Sequence, residues 1–360
     1  MIKRFIFWQT LVLIILLFTG FAAAEVKTFT HTVKQPFGGS QSPDDARVAA
    51  MVKAKREVLE KAGTYLESFT IVKENVIEKD EVLALAAGVL KVEIVSQKNY
   101  HTEDAFGIIV KAKVNVDTSI LEERIKSLLK DRELLRKYQD SQKREKDLLA
   151  KIKSLEEQNR KTKDLLSNVE RERLKEEFRK ASQELAANGL NEKALSLLKY
   201  GFYTDVAKAM EYLNQAIRLD PNYGDAYNNI GGAYDNKGDY DRALEYYQKS
   251  LKIGLKKLGP EHPGVAIDYN NTGVAYDSKG EYDRAIEYYQ KALKIDLKKL
   301  GPEHPGVAID YNNIGMAYNS EGEYGRAIEY LKKALKITRK RLGKDHPYTK
   351  TIQRNLESVR

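Results

Sequence analysis

The sequence predicts a mostly α-helical chain: a C-terminal α-solenoid, preceded by a long helix or coiled coil and a small N-terminal α/β domain. Three observations carry that expectation. Tyrosine is overused, 22 against 10 Phe and 1 Trp, and all but Tyr65, Tyr100 and Tyr138 lie at or after Tyr200. Lopsided use of one residue type points to an internal repeat. Residues 118–185 contain neither Pro nor Gly, the strongest helix breakers. Residues 25–117 carry β-branched runs that favour strands. Charged residues make up 31% of the 360 positions, above the usual ~25%, as long solvated helix faces require. Cysteine is absent, which excludes disulfides, thiolate metal sites, cysteine nucleophiles and a lipidated N-terminal cysteine.

Residues 1–24 have the layout of a secretory signal peptide. Lys3 and Arg4 form a short basic start, an apolar run follows, and Ala22-Ala23-Ala24 closes it. The apolar stretch Leu11–Phe18 is shorter than the roughly 20 residues of a spanning helix. Cleavage after Ala24 and export, most naturally to a periplasm, are therefore expected; an inner-membrane anchor is the alternative. Loss of Lys3 and Arg4 leaves a basic protein, the formal charge falling from +9 to +7.

In residues 25–117, Val26–Val33 reads as a strand and Gly38-Gly39-Ser40 as a loop. Ser42-Pro43-Asp44-Asp45 starts a helix: a capping hydroxyl, a proline preset for the first turn, and two carboxylates at the positive end of the dipole. The helix is expected to run to about Lys61, with Gly63 stopping it. Leu90–Ser96 and Phe106–Val116 read as strands joined by a tip at Asn99–Asp104; Ile108, Val110, Ala112, Val114 and Val116 alternate cleanly in the second.

Asp45-Ala46-Arg47, then Ala49, Ala50 and Ala54, and later Leu66-Glu67-Ser68 with Asp80 and the closing strand, resemble a known domain. They are similar to the N-terminal domain of flagellar outer-ring assembly proteins and related small envelope proteins of Gram-negative bacteria. That resemblance implies an envelope-associated structural module. Close helix-to-sheet packing explains the same alanines.

Across 118–185, Leu121, Leu128, Leu135 and Leu149 keep a spacing of seven that misses once at Gln142. Ile152, Leu155, Leu166 and Val169 fit an a/d pattern, weakened by Asn159 and Thr162. Gln139–Asp147 has no apolar residue. An unbroken helix here would span about 100 Å. It would serve as a solvated spacer or as the seam of a homodimer, and its mixed charges argue against a nucleic-acid arm.

From residue 186 to 346 the chain repeats. Tyr227-Asn228-Asn229-Ile230-Gly231 returns as Tyr269-Asn270-Asn271-Thr272-Gly273 and Tyr311-Asn312-Asn313-Ile314-Gly315, a period of 42. Tyr234, Tyr276 and Tyr318, then Gly238, Gly280 and Gly322, then Ala243, Ala285 and Ala327 run in phase. Each unit reads as two antiparallel helices turning at Gly238 and its equivalents. Gly231 and Ala243 let backbones approach, and the tyrosines fill space between successive pairs.

This pattern is identified as the tetratricopeptide repeat, with Thr272 replacing a Leu-like residue and Ser250 a late Ala. A degenerate unit, about Gly189–Tyr223, keeps Tyr200, Ala209, Ala216 and Asp220-Pro221. Leu258–Pro263 and its copies at Leu300–Pro305 and Leu342–Pro347 resemble the turns of kinesin-light-chain-type repeats. Residues 347–360 would cap the array. His262, His304 and His346 occur once per repeat. Packed helices lie about 8–10 Å apart, so these histidines cannot share one ion at ~2.1 Å; they are expected to stabilise turns.

The first helix of each pair would line a groove carrying Asn229, Gly232 and Asn236, then Asn271, Val274 and Ser278, then Asn313, Met316 and Ser320. An amide offers donor and acceptor together, so a row of them can hold an extended peptide backbone. The resemblance implies the same role for the matching asparagines. The alternative is that they bond neighbouring helices. The basic residues that clamp a terminal carboxylate in chaperone-binding relatives are missing; Asn228, Asn270 and Asn312 stand at one such position and join the candidate peptide contacts. Lys252, Lys256 and Lys257, with Lys294, Lys298, Lys299, Lys336, Arg339 and Lys340, complement helix dipoles. They also suggest a basic ridge for acidic proteins or an anionic membrane surface.

No phosphate-binding loop, His-Glu-x-x-His or Gly-x-Ser-x-Gly occurs. No catalytic residue, cofactor or metal is assigned. The expectation is an exported adaptor that binds a protein segment and not nucleic acid. A self-associating architectural factor and an enzyme with a site at the junction of the α/β domain and the solenoid are the rivals.

Overall fold

The computed structural model describes residues 26–37, 43–67, 79–101, 106–162, 168–199 and 202–359. The expected leader, the Gly38-Gly39-Ser40 loop, residues 102–104 of the hairpin tip and Tyr200 lie outside them. The chain divides into two compact units, with the boundary between Gln142 and Lys143.

In the first unit, β1 (Val26–Phe37), β2 (Val92–His101) and β3 (Phe106–Asp117) form an antiparallel sheet of order β1-β3-β2. Val33 pairs with Val110 and Val92 with Val114. The alternation in β3 sets which face is buried: Ile108, Val110, Ala112, Val114 and Val116 are all enclosed. Helix α1 (Pro43–Leu66) covers β1 and β3. Its buried face is Ala46, Ala49, Ala50, Ala54, Val58 and Ala62, small side chains that bring the helix close to the sheet.

Gly63 does not stop α1, which continues to Leu66. A Cβ at Gly63 would meet Val82 at 3.5 Å, so the glycine lies against α2 (Lys79–Val89) inside a continuing helix. Helix α2 was not anticipated; it buries Val82, Ala84, Leu85, Ala86 and Val89. Gln139–Asp147, although it has no apolar residue, buries Ser141, Gln142 and Glu145.

The expected single helix over 118–185 is interrupted at Asp131, between α3 (Thr118–Lys130) and α4 (Arg132–Thr162); α5 (Asn168–Leu195) lies beyond residues 163–167, which are outside those described. Asp131 makes this break by accepting the Leu134 backbone N–H at 3.0 Å, as a helix cap does. A capping aspartate interrupts a helix without Pro or Gly. Leu121, Leu128 and Leu135 are buried within the chain, as are Leu148, Ile152 and Leu155. The stripe expected to face solvent or a second copy is used internally.

The second unit stacks helix pairs. The end of α5 packs on α6 (Val206–Leu219) across a two-stranded hairpin, β4 (Leu198–Lys199) and β5 (Phe202–Tyr203). The degenerate repeat is therefore present, but its first helix extends back to Asn168 and contains Gly189. Arg144 from α4 pairs with Asp220 at 3.1 Å, and its guanidinium sits 4.3 Å from the Tyr223 ring centre. The part of α4 that belongs to the second unit is thus docked on this repeat.

Three regular pairs follow: α7 (Gly224–Asp235) with α8 (Tyr240–Lys257), α9 (Pro263–Ser278) with α10 (Tyr282–Leu300), and α11 (Pro305–Glu321) with α12 (Tyr324–Arg341). Helix α13 (Pro347–Ser358) closes the stack. Gly238, Gly280 and Gly322 turn within pairs at φ of 76° to 91°, a region other residues avoid. The helix-to-helix glycines have a different reason. A Cβ at Gly231 or Gly273 would come within 2.6 or 2.7 Å of the Tyr247 or Tyr289 ring. At Gly315 it would meet Leu331 at 2.8 Å. The other tyrosines mainly join the two helices of one pair, contrary to the sequence expectation. Tyr234 stacks on Tyr246 at 5.5 Å, Tyr276 on Tyr288 at 5.4 Å and Tyr318 on Tyr330 at 5.6 Å.

Gly273→Ala should therefore destabilise the chain by about 1–3 kcal/mol through overpacking. Gly325→Ala, where a Cβ meets nothing within 4 Å, should leave stability unchanged or raise it by about 0.5–1 kcal/mol. Denaturant unfolding of the two variants checks the contrast.

Candidate peptide-binding groove

Histidines fix the starts of α9, α11 and α13. His262 Nδ1 accepts the Gly264 N–H at 3.0 Å, His304 Nδ1 that of Gly306 at 3.0 Å, and His346 Nδ1 that of Tyr348 at 3.2 Å. Proline follows each histidine and opens the helix. The three imidazoles cap α9, α11 and α13, the turn-stabilising role expected from sequence.

The lysines at the ends of the second helices divide into two groups. Lys298 pairs with Glu261, Lys340 with Glu303, and Lys257 donates to the Asn222 carbonyl at 2.7 Å. These tie a helix end to an earlier turn. Lys252, Lys256, Lys294, Lys299 and Lys336 are exposed.

The asparagines form a ladder from repeat to repeat. Asn271 donates to Asn228 Oδ1 at 3.0 Å, Asn313 to Asn270 Oδ1 at 3.0 Å, and Asn355 to Asn312 Oδ1 at 2.9 Å. Asn229 donates backwards to Asn191 on α5 at 2.8 Å. In the opposite direction, Asn228 donates to Asp268 at 2.9 Å and Asn270 to Asp310 at 3.2 Å. At the cap, Ile352 occupies the position equivalent to these aspartates. Asn312 turns instead to its neighbour Asn313, at 3.3 Å.

All six asparagines of the doublets are thus brought together, and each bonds within or between first helices. Asn228 and Asn229 are buried; Asn270, Asn271, Asn312 and Asn313 are half-buried. Asn236, Ser278 and Ser320 stand exposed at the ends of their helices, apart from the ladder. The partners missed from sequence are Asn191, Asp268, Asp310 and Asn355. Asp268 and Asp310 share the 42-residue period, and Asn355 lies 42 after Asn313, so phase alone could have found three of them. Asn191 stands outside the period.

Asp268 is the central carboxylate of the ladder. Ser250 Oγ lies 2.7 Å from its Oδ1, beside the Asn228 amide. Burial pushes its carboxyl up to about 6 from an ordinary 3.8, and the Ser250 and Asn228 hydrogen bonds only partly oppose this. Thr272, the replacement for a Leu-like residue, is buried and satisfied by the Asp268 carbonyl at 2.7 Å.

The tetratricopeptide repeat family matches residues 223–298, 279–340 and 308–359, and a second model of that repeat matches 204–223. Residues 204–359 are tetratricopeptide repeats. They make this part of the chain a protein-interaction scaffold, a fold that is typically non-enzymatic.

The tetratricopeptide array is similar to BtubC (BKLC) from P. vanneervenii: 22% identity over 61% of this chain and 82% of that one, TM-score 0.42. It is also similar to a Podosopora anserina putative kinesin light chain with nearly identical TPR-like repeats, at 23% identity over 49% and 83% of the two chains, TM-score 0.38. The Sgt2 TPR domain from Aspergillus fumigatus matches at 23% identity over 38% and 76%, TM-score 0.29. No curated protein sequence matches the chain.

Two outcomes follow for the ladder. Asn271→Ala removes one inter-repeat bond and leaves Asn228 Oδ1 without its donor, at a cost of about 1–2 kcal/mol in chemical denaturation. Because the folded chain holds the Asp268 proton more tightly than the unfolded chain, its stabilising contribution is complete below about pH 4 and is lost as pH rises through about 6. Up to about 3 kcal/mol is involved. Asp268→Asn should flatten that part of the stability profile, measured as unfolding midpoints across this pH range.

Proposed function

We propose that the chain is an exported adaptor whose tetratricopeptide array holds an extended protein segment along the face of α7, α9 and α11, in assembly of a cell-envelope complex. One observation carries the groove: the half-buried amides of Asn270, Asn271, Asn312 and Asn313 form a continuous row beside partly exposed Val274 and Met316. Each amide has two donor hydrogens and an acceptor oxygen. The ladder uses one hydrogen of Asn271 and one of Asn313, leaving the second to meet a peptide carbonyl. Asn236, Ser278 and Ser320 extend the polar edge of the same face.

The basic start and small-residue end of residues 1–24 support export to a periplasm, with an uncleaved inner-membrane anchor as the alternative. The resemblance of residues 25–117 to flagellar outer-ring assembly proteins supports envelope docking by the first unit. Exposed Lys252, Lys256, Lys294, Lys299 and Lys336 suit an acidic protein surface or an anionic membrane surface outside the groove.

A purely architectural, self-associating array is favoured by the burial of Asn228 and Asn229. A photo-cross-linking residue at Met316, compared with one at exposed Lys332, separates the two in cells expressing the full chain. Groove binding predicts a cross-linked partner of different mass from Met316 and none from Lys332. Cross-links only to further copies of this chain would support the architectural reading. Export is checked by the intact mass of the purified protein, expected to begin at Glu25.

A further inference from the structure

The turns that lead into α7, α9 and α11 keep one phase and one capping bond. Asp220 accepts the Asn222 N–H at 3.0 Å, as His262 accepts that of Gly264 42 residues later. Two positions around Asp220 nevertheless depart from the later repeats. Glu261 and Glu303 pair with Lys298 and Lys340 at the ends of the following second helices. Leu219, 36% exposed, stands in the phase of those glutamates, and Lys256 in the phase of the lysines. The first regular repeat has kept the cation and lost its anion.

The second departure is in packing. Ala266 shares a buried cluster with Ile295, and Ala308 with Ile337, leaving the two isoleucines 7% and 8% exposed. Gly224 stands in the phase of those alanines. A Cβ there would lie 3.7 Å from Ile253, an ordinary contact, so the methyl group that would cover this side chain is missing. Ile253 is accordingly only half-buried. An open pocket of about 420 Å³ lies here, lined by Asn222, Tyr227 and Ile253 with Lys249, Lys252, Lys256 and Lys257. Lys249 is held by Glu245 at 2.6 Å, and Lys257 by the Asn222 carbonyl. Asp220 is shared between Arg144 at 3.1 Å and Lys257 at 3.9 Å. Among the described residues no carboxylate pairs with Lys252 or Lys256.

We propose that this pocket binds a glutamate side chain on an acidic segment of a partner protein. The partner supplies in trans the carboxylate that later repeats carry in their own turns. The glutamate stem covers Ile253 and the Tyr227 ring, and its oxygens accept from Lys252 and Lys256. The site is built on α8 and the turn before α7, and it does not rest on the groove reading. A membrane surface is a poorer match. It cannot fill a recess, and it would call for free lysines in every repeat, whereas Lys298 and Lys340 are already paired.

The test uses the full chain with labelled isoleucine δ1-methyl groups, titrated at low salt with acetyl-Ala-Glu-Leu-Glu-Ala amide. Acetyl-Ala-Gln-Leu-Gln-Ala amide is the control. The Ile253 methyl resonance should shift saturably with the glutamate peptide alone, while those of Ile295 and Ile337 stay in place. Lys252→Gln with Lys256→Gln should weaken binding about tenfold, and added salt should weaken it in the native chain. Lys294→Gln with Lys336→Gln should leave it unchanged. Leu219→Glu should rebuild the internal pair: it should keep or raise the thermal midpoint and weaken peptide binding about tenfold.

Equal response to the two peptides, an unmoved Ile253 methyl, or full binding by the lysine double variant or by Leu219→Glu would overturn the proposal. So would a shift of Ile253 by phosphatidylglycerol vesicles with none from the glutamate peptide, which would make the pocket a lipid contact. Cross-linking at Met316 reads the groove separately, so failure of either reading leaves the other standing.

Discussion

The hydrogen bond from an asparagine of one repeat to an asparagine of the repeat before it is the interaction on which the register of the array depends. Apolar stacking holds helix pairs together but is non-directional. Sliding one pair along its neighbour would trade one buried alanine or leucine for another. The bonds of Asn271 to Asn228 and Asn313 to Asn270 permit no such slide, because a buried amide left unpaired costs more than the bond itself returns. The return bonds to Asp268 and Asp310 make each junction reciprocal. In α13 Ile352 stands in place of the partner aspartate, and Asn312 bonds to Asn313 instead.

The ladder also constrains function. An amide committed to its neighbour keeps one donor for a ligand, so the same row can fix the fold and present a regular hydrogen-bonding edge. Asp235 and Asp277 are the opposite case. Each sits where burial and the helix dipole both oppose its charge.

Much of this was legible in the chain, and the legible parts share a reason. Tyr227-Asn228-Asn229 and its two copies, the in-phase glycines and the histidine-proline turns recur at one spacing, and recurrence separates signal from local noise. The β3 alternation from Ile108 to Val116 was equally clear, since one buried face imposes a period of two. What failed to show were features set by single contacts. Gly63 looked like a helix stop because glycine often is one; its place against Val82 keeps it inside α1. Asp131 looked like one more charge in a polar helix, yet it caps α4. The heptad leucines from Leu121 to Leu135 suggested a second chain, although their own chain covers them.

The sequence by itself determined the number and period of the repeats, the handful of positions where only glycine fits, and the chemical character of the first-helix face. Those follow from side-chain size, backbone freedom and periodicity, all of which are properties of the chain before it folds. Only the tertiary structure decided which partner each asparagine takes and that Arg144 docks on the first repeat. These are pairings between residues roughly 40 or more positions apart in most cases. Such pairings arise when repeats stack and water is excluded, a step no local pattern encodes.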